Sequence, residues 1–213
     1  MKPEKLKQWF DKMKQELENA YLMYDEPWKQ SGFAGPEERW IKCRKPIAEC
    51  VDKSGSFLDI GCANGYLLEC LMRWVSEQGI TIVPYGLDMS EKLIHLAKQR
   101  LPQYASNLFI GNAWYWKPHL RFDFVRTEMN AIPQELQKEY VTRLLNRFVL
   151  SSGKLLISEY RSSQDDFSKE WIDECLGEWG FNVAYSRSGF DAGKELTRVV
   201  VVHQPLQKTL KTS

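Results

Sequence analysis

Apolar residues recur every three or four positions through the first part of the chain, which is the period of a helix with one buried face. This spacing predicts a helix over residues 3–24 and a second over residues 40–51, with Pro46 as a kink or restart. The loop between them, residues 25–36, contains two prolines and two glycines, which break the helical period. We therefore expect residues 1–55 to form a helical extension that packs as a lid or flank on the rest of the chain.

After Ser56 the pattern changes to short apolar runs separated by longer stretches with helical spacing. Such alternation is typical of a mainly parallel sheet covered by helices on both faces. The tryptophan-containing connection after Ile110 has room for one further short helix. We predict strands at residues 57–60, 81–87, 108–110, 122–125, 154–159, 181–185 and 197–203, and helices at residues 66–78, 90–100, 133–150 and 167–179.

The last two apolar runs are separated by residues 186–196 alone, which are too few for a crossover helix. These two runs are therefore predicted to form an antiparallel hairpin at the sheet edge. The expected fold class is α/β, with a doubly wound sheet of about seven strands in one domain at residues 56–203. Residues 204–213 are expected to form a frayed tail.

Composition narrows the class of protein. The chain has 213 residues, of which 43% are hydrophobic and 27% charged, as expected for one globular domain. The sequence contains no apolar run long enough to cross a bilayer and begins without the pattern of a secretory signal, so we expect a cytoplasmic protein with no membrane association. The five cysteines contain no C-x-x-C pair, which argues against a disulfide framework or a zinc site, and we predict no metal.

Charge gives little indication of a nucleic-acid partner. There are 29 basic and 28 acidic side chains, so no global field attracts a phosphate backbone. A local basic cluster does occur in the second predicted helix, and it is either a solvated helix face or a docking patch. It comprises Arg39, Lys42, Arg44 and Lys45.

The most informative stretch is FLDIGCANGYLLECL at residues 57–71, where a buried strand ends in a turn of small residues and a helix begins at once. Gly61, Ala63 and Gly65 leave the backbone N–H groups and the helix N-terminus open to a ligand. Asp88 ends the next predicted strand, 23 residues after Gly65, where a βαβ nucleotide unit places its ribose-binding carboxylate.

Spacing separates two kinds of nucleotide unit. A dinucleotide fold requires G-x-G-x-x-G, and its third glycine falls here on Tyr66, whose side chain would obstruct helix-to-strand packing. The turn GCANG instead resembles the G-x-G-x-G turn of class I S-adenosylmethionine-dependent methyltransferases, with Ala63 replacing the middle glycine. The resemblance covers residues 56–203 and also includes GNAW at residues 111–114, FDFVRTE at 122–128 and SSGKLLISEY at 151–160.

This resemblance implies a Rossmann-like fold, S-adenosylmethionine as cofactor and S-adenosylhomocysteine as product. It places Asp59 beside the methionine amino group, Asp88 on the ribose and Asn112, where the family often has an acidic residue, on the adenine amino group. QSGFAGPEERW at residues 30–40 is similar to a bacterial group of these enzymes without an assigned substrate, so the acceptor stays open. The implied cofactor-binding residues are Asp59, Gly61, Cys62, Ala63, Gly65, Tyr66, Asp88, Met89, Asn112, Ala113, Trp114 and Thr127.

Catalytic candidates are expected at the carboxyl ends of the strands, because ligands of open α/β sheets bind there. Glu128 after the fourth strand is the first candidate for a base or acceptor anchor, and Tyr160 after the fifth is the second. Helix capping is an equally good explanation for Glu128, and a surface ion pair for the neighbouring Glu159 and Arg161. The predicted substrate-binding residues are Trp28, Phe33, Arg126, Glu128 and Tyr160.

Three functions fit these features. A methyltransferase with a small-molecule acceptor is favoured by the near-neutral charge and by an aromatic-rich extension that can close over a pocket. An RNA or protein methyltransferase would dock through the basic residues at 39–45. A cofactor-binding module without catalytic activity is the third alternative, and the sequence does not indicate the oligomeric state.

Overall fold

The structure is a computed structural model that describes residues 1–162 and 164–204, so residues 205–213 of the predicted tail lie outside the described residues. Short 3₁₀ turns occur at Lys29–Ser31, Pro102–Asn107, Met129–Ala131 and Gln134–Leu136. The helices are α1 (Pro3–Tyr21), α2 (Glu37–Ala48), α3 (Tyr66–Ser76), α4 (Glu91–Arg100), α5 (Gln137–Arg147) and α6 (Ile172–Glu178). The strands are β1 (Gly55–Ile60), β2 (Ile82–Asp88), β3 (Leu108–Ile110), β4 (Phe122–Glu128), β5 (Val149–Tyr160), β6 (Asn182–Asp191) and β7 (Lys194–His203).

All seven strands form one sheet in the order β3-β2-β1-β4-β5-β7-β6. The first five strands in this order are parallel to one another, whereas β7 is antiparallel to both β5 and β6. The expected α/β fold with a mainly parallel sheet and an antiparallel C-terminal hairpin is therefore confirmed. The direction of strand succession reverses between β1 and β4, which marks the edge where ligands of such sheets bind.

The C-terminal hairpin is longer than its apolar runs predict. Its two strands are joined by Ala192 and Gly193, which have φ angles of 47° and 77°. Two left-handed residues in succession give a tight turn whose twist matches that of the strands. Most of the predicted connection at residues 186–196 is therefore strand. The apolar pattern does not reveal this part of the strands, because polar residues of an edge strand face solvent and leave no apolar run.

Helices cover both faces of the sheet. Helices α2, α3 and α4 share a core with Phe57 and Phe124, while α1, α5 and α6 share the opposite core with Leu58 and Val125. The alternation arises because successive side chains of a strand point to opposite faces. None of the helices in the described ranges is long and apolar enough to span a membrane.

The N-terminal extension contributes to both layers. Leu6 and Phe10 of α1 are buried, as is Trp40 of α2, whose ring packs against Tyr66 and Trp74. Helix α2 continues through Pro46 without ending, so this residue is not a restart. The connection after Ile110, which has room for a short helix, contains only turns and bends.

Candidate functional site

The turn after β1 opens the backbone toward a cavity. Gly61, Ala63 and Gly65 have φ angles of 80°, 47° and 75°, all in the left-handed region. A Cβ on Gly61 would meet no atom within 4 Å, whereas one on Gly65 would lie 3.1 Å from the side chain of Ala97 in α4. Gly61 thus leaves space beside the turn and Gly65 allows close helix packing. Ala63 keeps its left-handed conformation at a cost of about 1–2 kcal/mol.

Asp88 fixes the turn to the end of β2. One carboxylate oxygen accepts the Ala63 N–H at 3.0 Å, and the other accepts the Ser90 N–H at 2.8 Å. Burial raises the pKa of Asp88 above its ordinary value. Each oxygen keeps a further lone pair, so the carboxylate can also accept hydrogen bonds from a ligand on the cavity side.

A buried ion-pair network links the ends of three neighbouring strands. Arg126 of β4 donates to Asp59 of β1 at 3.1 Å, to the hydroxyl of Tyr160 in β5 at 2.9 Å, and to Glu128. Asp59 and Arg126 are 1% and 2% exposed. Burial lowers the pKa of Arg126, but Tyr160 and the carboxylates of Glu128 and Asp59 together raise it well above its ordinary value, so the side chain stays charged.

The second oxygen of Asp59 has no hydrogen-bond partner among residues 1–162 and 164–204. This Oδ2 atom is buried, and burial raises the pKa of the carboxyl to about 6 although Arg126 opposes the shift. A buried acceptor without a partner costs about 1–3 kcal/mol.

A cavity of about 1040 Å³ lies over the carboxyl ends of the strands. Its walls come from the sheet, from α1, from the loop at residues 31–35 and from α2. The sequence-predicted site residues on its walls are Phe33, Gly61, Ala63, Asp88, Met89, Asn112, Ala113, Glu128 and Tyr160.

Other predicted site residues lie behind the cavity walls. The indole N–H of Trp28 donates to the carbonyl oxygen of Gly35 at 3.0 Å, and its ring packs against the core. The hydroxyl of Tyr66 pairs with Glu37, and Thr127 hydrogen-bonds the hydroxyl of Tyr140 at 3.0 Å. The predicted residues that do not contribute to the wall are Trp28, Asp59, Cys62, Gly65, Tyr66, Trp114, Arg126 and Thr127.

Asn112 uses part of its amide within the protein. Its side-chain oxygen accepts the Trp114 N–H at 2.8 Å, and its nitrogen lies 3.0 Å from the sulfur of Met89. An amide oxygen has two lone pairs, so one acceptor position remains for a ligand at the end of β3.

Several wall residues were not among the sequence-predicted site residues, and Tyr21 of α1, Arg44 of α2 and Tyr140 of α5 are three of them. Burial raises the pKa of Tyr21, and it raises that of Tyr140 to about 12. Arg44 is 6% exposed, and its guanidinium lies 3.5 Å from the ring centroid of Tyr160. The sequence feature that could have revealed such a residue is a polar side chain on the apolar face of a helix. Arg44 is an example, because it lies at helical spacing from Trp40 and Ile47.

The basic cluster of α2 does not form one surface. Arg39 and Lys42 both pair with Asp191 at the end of β6, at 3.6 Å and 2.9 Å. Arg44 is buried against the cavity, and Lys45 is exposed. The four side chains therefore point to different surroundings.

Comparison with solved structures identifies the fold. A TehB-like S-adenosylmethionine-dependent methyltransferase from Corynebacterium glutamicum superposes with a TM-score of 0.54 at 17% identity, covering 92% of this chain and 98% of that one. A methyltransferase of the same cofactor class from Aquifex aeolicus gives a TM-score of 0.56 at 17% identity, covering 90% and 98%. Magnesium protoporphyrin IX methyltransferase from Synechocystis, with bound S-adenosylmethionine, gives 0.55 at 16% identity, covering 83% and 89%.

The chain therefore has the fold of the class I S-adenosylmethionine-dependent methyltransferases, as the sequence resemblance implies. No protein-family model matches the chain, and no curated relative matches it in sequence. Identities of this size establish the fold, so the activity has to be argued from the cavity itself.

Proposed function

We propose that this protein is an S-adenosylmethionine-dependent methyltransferase that acts on a small-molecule acceptor. The observation that supports the cofactor is an ordered row of polar groups along one sheet edge. Asn112, Asp88 and the Gly61 turn follow one another at the ends of β3, β2 and β1, which matches the adenine, ribose and methionine parts of the cofactor.

The residues present fit that cofactor. Asp88 can accept hydrogen bonds from both ribose hydroxyls, and the left-handed Gly61 turn leaves space beside it for the methionine part. Met89 and Leu93 supply apolar wall on the adenine side of Asp88. S-adenosylmethionine would supply a methyl group whose bond to sulfur breaks, the electron pair returning to sulfur as the acceptor atom bonds to the carbon.

The protein's part in such a displacement is to align the acceptor and exclude water. Glu128 ends β4, which lies beside β1, and Tyr160 ends β5, the next strand of the sheet. We propose that these two residues orient the acceptor there. Both are held by Arg126, which keeps them fixed before the acceptor arrives. Glu128 would accept a hydrogen bond from the N–H or O–H of the atom to be methylated.

A small-molecule acceptor is supported by the shape of the cavity. Its volume of about 1040 Å³ slightly exceeds the roughly 300–1,000 Å³ typical of single-ligand pockets, so cofactor and a small acceptor fit together. Helix α1 and the loop at residues 31–35 form part of its wall. The dispersed basic side chains of α2 do not favour docking of RNA or another macromolecule.

The proposed cofactor site is tested by calorimetry with S-adenosylhomocysteine. We expect micromolar binding by the wild-type protein and roughly hundredfold weaker binding by Asp88→Ala, which loses two hydrogen bonds to a charged group. Glu91→Gln is the matched control, because it removes an exposed carboxylate three residues along the chain and leaves the affinity unchanged. Absence of binding by the wild-type protein would refute the proposal, and binding without turnover across many acceptors would favour the non-catalytic alternative.

A further inference from the structure

Arg44 is a buried cation in the cavity wall without an anionic partner. It is 6% exposed, and its Nη1 atom makes no hydrogen bond within the described ranges 1–162 and 164–204. Among the arginines of the cavity wall, Arg39 and Arg161 form ion pairs within those ranges, and Arg44 does not. An unpaired buried charge is costly, so proteins rarely retain one without a function.

The surroundings of this guanidinium are aromatic. It stacks 3.5 Å from the ring centroid of Tyr160 and lies 5.9 Å from the ring centroids of both Phe33 and Trp40. Aromatic faces hold the cation in place without neutralising its charge. Because the guanidinium is planar and fixed by stacking, its free N–H groups are preorganised for an oxyanion, above all a carboxylate.

The position of Arg44 separates it from the proposed cofactor row. That row ends at β1, whereas Arg44 stacks on Tyr160 at the end of β5, two strands further along the sheet. Neighbouring strands are about 4.8 Å apart, so β5 lies about 10 Å from β1. An anion at Arg44 therefore belongs to the acceptor side of the cavity.

We propose that the methyl acceptor has a carboxylate, and that Arg44 binds it. This inference rests on the proposed methyltransferase function and specifies its substrate class. The atom to be methylated then lies near Glu128 on β4, between the cofactor row and Arg44. The acceptor is accordingly a small acid with its carboxylate roughly 5–10 Å, one to two strand spacings, from its nucleophilic atom.

Matched acid and amide probes test this proposal. The protein saturated with S-adenosylhomocysteine is titrated calorimetrically with 4-hydroxybenzoate and 4-aminobenzoate, and separately with the corresponding neutral amides. We expect the acids to bind at least tenfold more tightly than their amides, because only the acids form a charge-assisted pair with the guanidinium. Arg44→Gln should remove this preference, and Arg44→Lys should reduce it about fivefold even if the glutamine variant fails to fold.

Lys45→Gln is the control, because it removes the same charge from the next residue of the same helix, where the side chain is exposed. It should retain the preference for the acids. If wild type shows no such preference, or if Lys45→Gln loses it equally, the proposed acid site does not exist.

The same variants separate the two possible sources of the carboxylate. If Arg44→Gln weakens S-adenosylhomocysteine tenfold but leaves 5′-methylthioadenosine, which lacks the amino-acid part, unchanged, then Arg44 holds the cofactor carboxylate and the proposal is overturned. Repeating the acid titration without S-adenosylhomocysteine distinguishes failure of the proposed acid site from failure of the proposed cofactor site. Acid binding that depends on Arg44 supports the anion site even where the cofactor itself does not bind.

Discussion

At the scale of single residues, the free protein contains polar groups in its site that are incompletely satisfied. Within the part of the chain that the structure describes, Asp59 has one buried oxygen without a hydrogen-bond partner, and Arg44 has one such buried nitrogen. Ala63 adds a left-handed backbone conformation next to them. Such features lower stability, and they occur where a protein binds something.

The pKa of Asp59 predicts an unusual pH dependence of stability. Its folded value of about 6 lies above the ordinary value of 3.8, so the folded state binds this proton more tightly than the unfolded state. Its contribution to the free energy of unfolding is therefore most favourable below about pH 4 and falls as pH rises toward 6, by up to about 3 kcal/mol. Asp59→Asn cannot titrate, so the difference in unfolding free energy between wild type and variant should follow this slope in urea titrations.

Asp123→Asn is the matched control for that slope. Its carboxylate pairs with Lys53 and Ser56, which lower its pKa despite partial burial. The ionised Asp123 therefore adds to the free energy of unfolding above its unfolded pKa, and this contribution is lost as pH falls. The pH dependence has the opposite sign to that of Asp59. Parallel stability curves for wild type and Asp59→Asn between pH 4 and 7 would contradict the assignment.

At the scale of elements, one side chain near the C-terminus of α1 connects that end of the helix to the start of α4. Glu18 accepts a hydrogen bond from Ser90 at 2.8 Å and pairs with Lys92 at 2.9 Å. Ser90 also caps α4 by accepting the Leu93 N–H at 3.2 Å. The contact thus connects the helix over the cavity to the strand end that holds Asp88.

Removing this contact should loosen α1 selectively. In Glu18→Ala, hydrogen exchange of the α1 amides should accelerate, while that of β1, β4 and β5 stays as in wild type. Asp11→Ala is the control, because Asp11 pairs only with Lys7 within the same helix and should change α1 exchange little. Equal acceleration throughout the sheet would mean that α1 does not move as a separate unit.

The elements also show what the sequence could predict. Strand ends, the parallel order and the C-terminal hairpin followed from apolar runs, because buried strands need them. The first residues of β5 were missed because Ser151 and Ser152 are exposed and interrupt the run. The pairing of Asp59 with Arg126 depends on the register of β1 against β4, which no local pattern encodes. The direction in which the Arg44 side chain points depends in the same way on how α2 packs against the sheet.

At the scale of the whole molecule, the proposed cofactor site should appear as a thermal shift. A ligand present at 100 times its dissociation constant adds about 2.7 kcal/mol to the stability of the folded state. For a chain of this length, that corresponds to a rise in Tm of about 5–10 °C. Differential scanning fluorimetry with S-adenosylhomocysteine should show this rise for wild type and a rise of only about 1 °C for Asp88→Ala, which binds roughly hundredfold more weakly.

NAD is the comparison ligand in this experiment. The turn places Tyr66 where a dinucleotide fold needs its third glycine, so NAD should leave Tm unchanged. A rise in Tm with NAD and none with S-adenosylhomocysteine would indicate that the turn belongs to a dinucleotide-binding unit.

The walls of the cavity come from two parts of the chain that are separate in sequence. Asn112, Asp88 and Gly61 follow strands β3, β2 and β1, whereas Arg44 and Phe33 precede all of these strands. Substitutions in the first 48 residues that spare the contacts of Glu18 and Gln30 with Ser90 and Asn64 should therefore change the acceptor side of the cavity while the hydrogen bonds around Asp88 stay constant. Chimeric proteins that exchange this segment between related chains offer a direct route to altered substrate preference without rebuilding the nucleotide half.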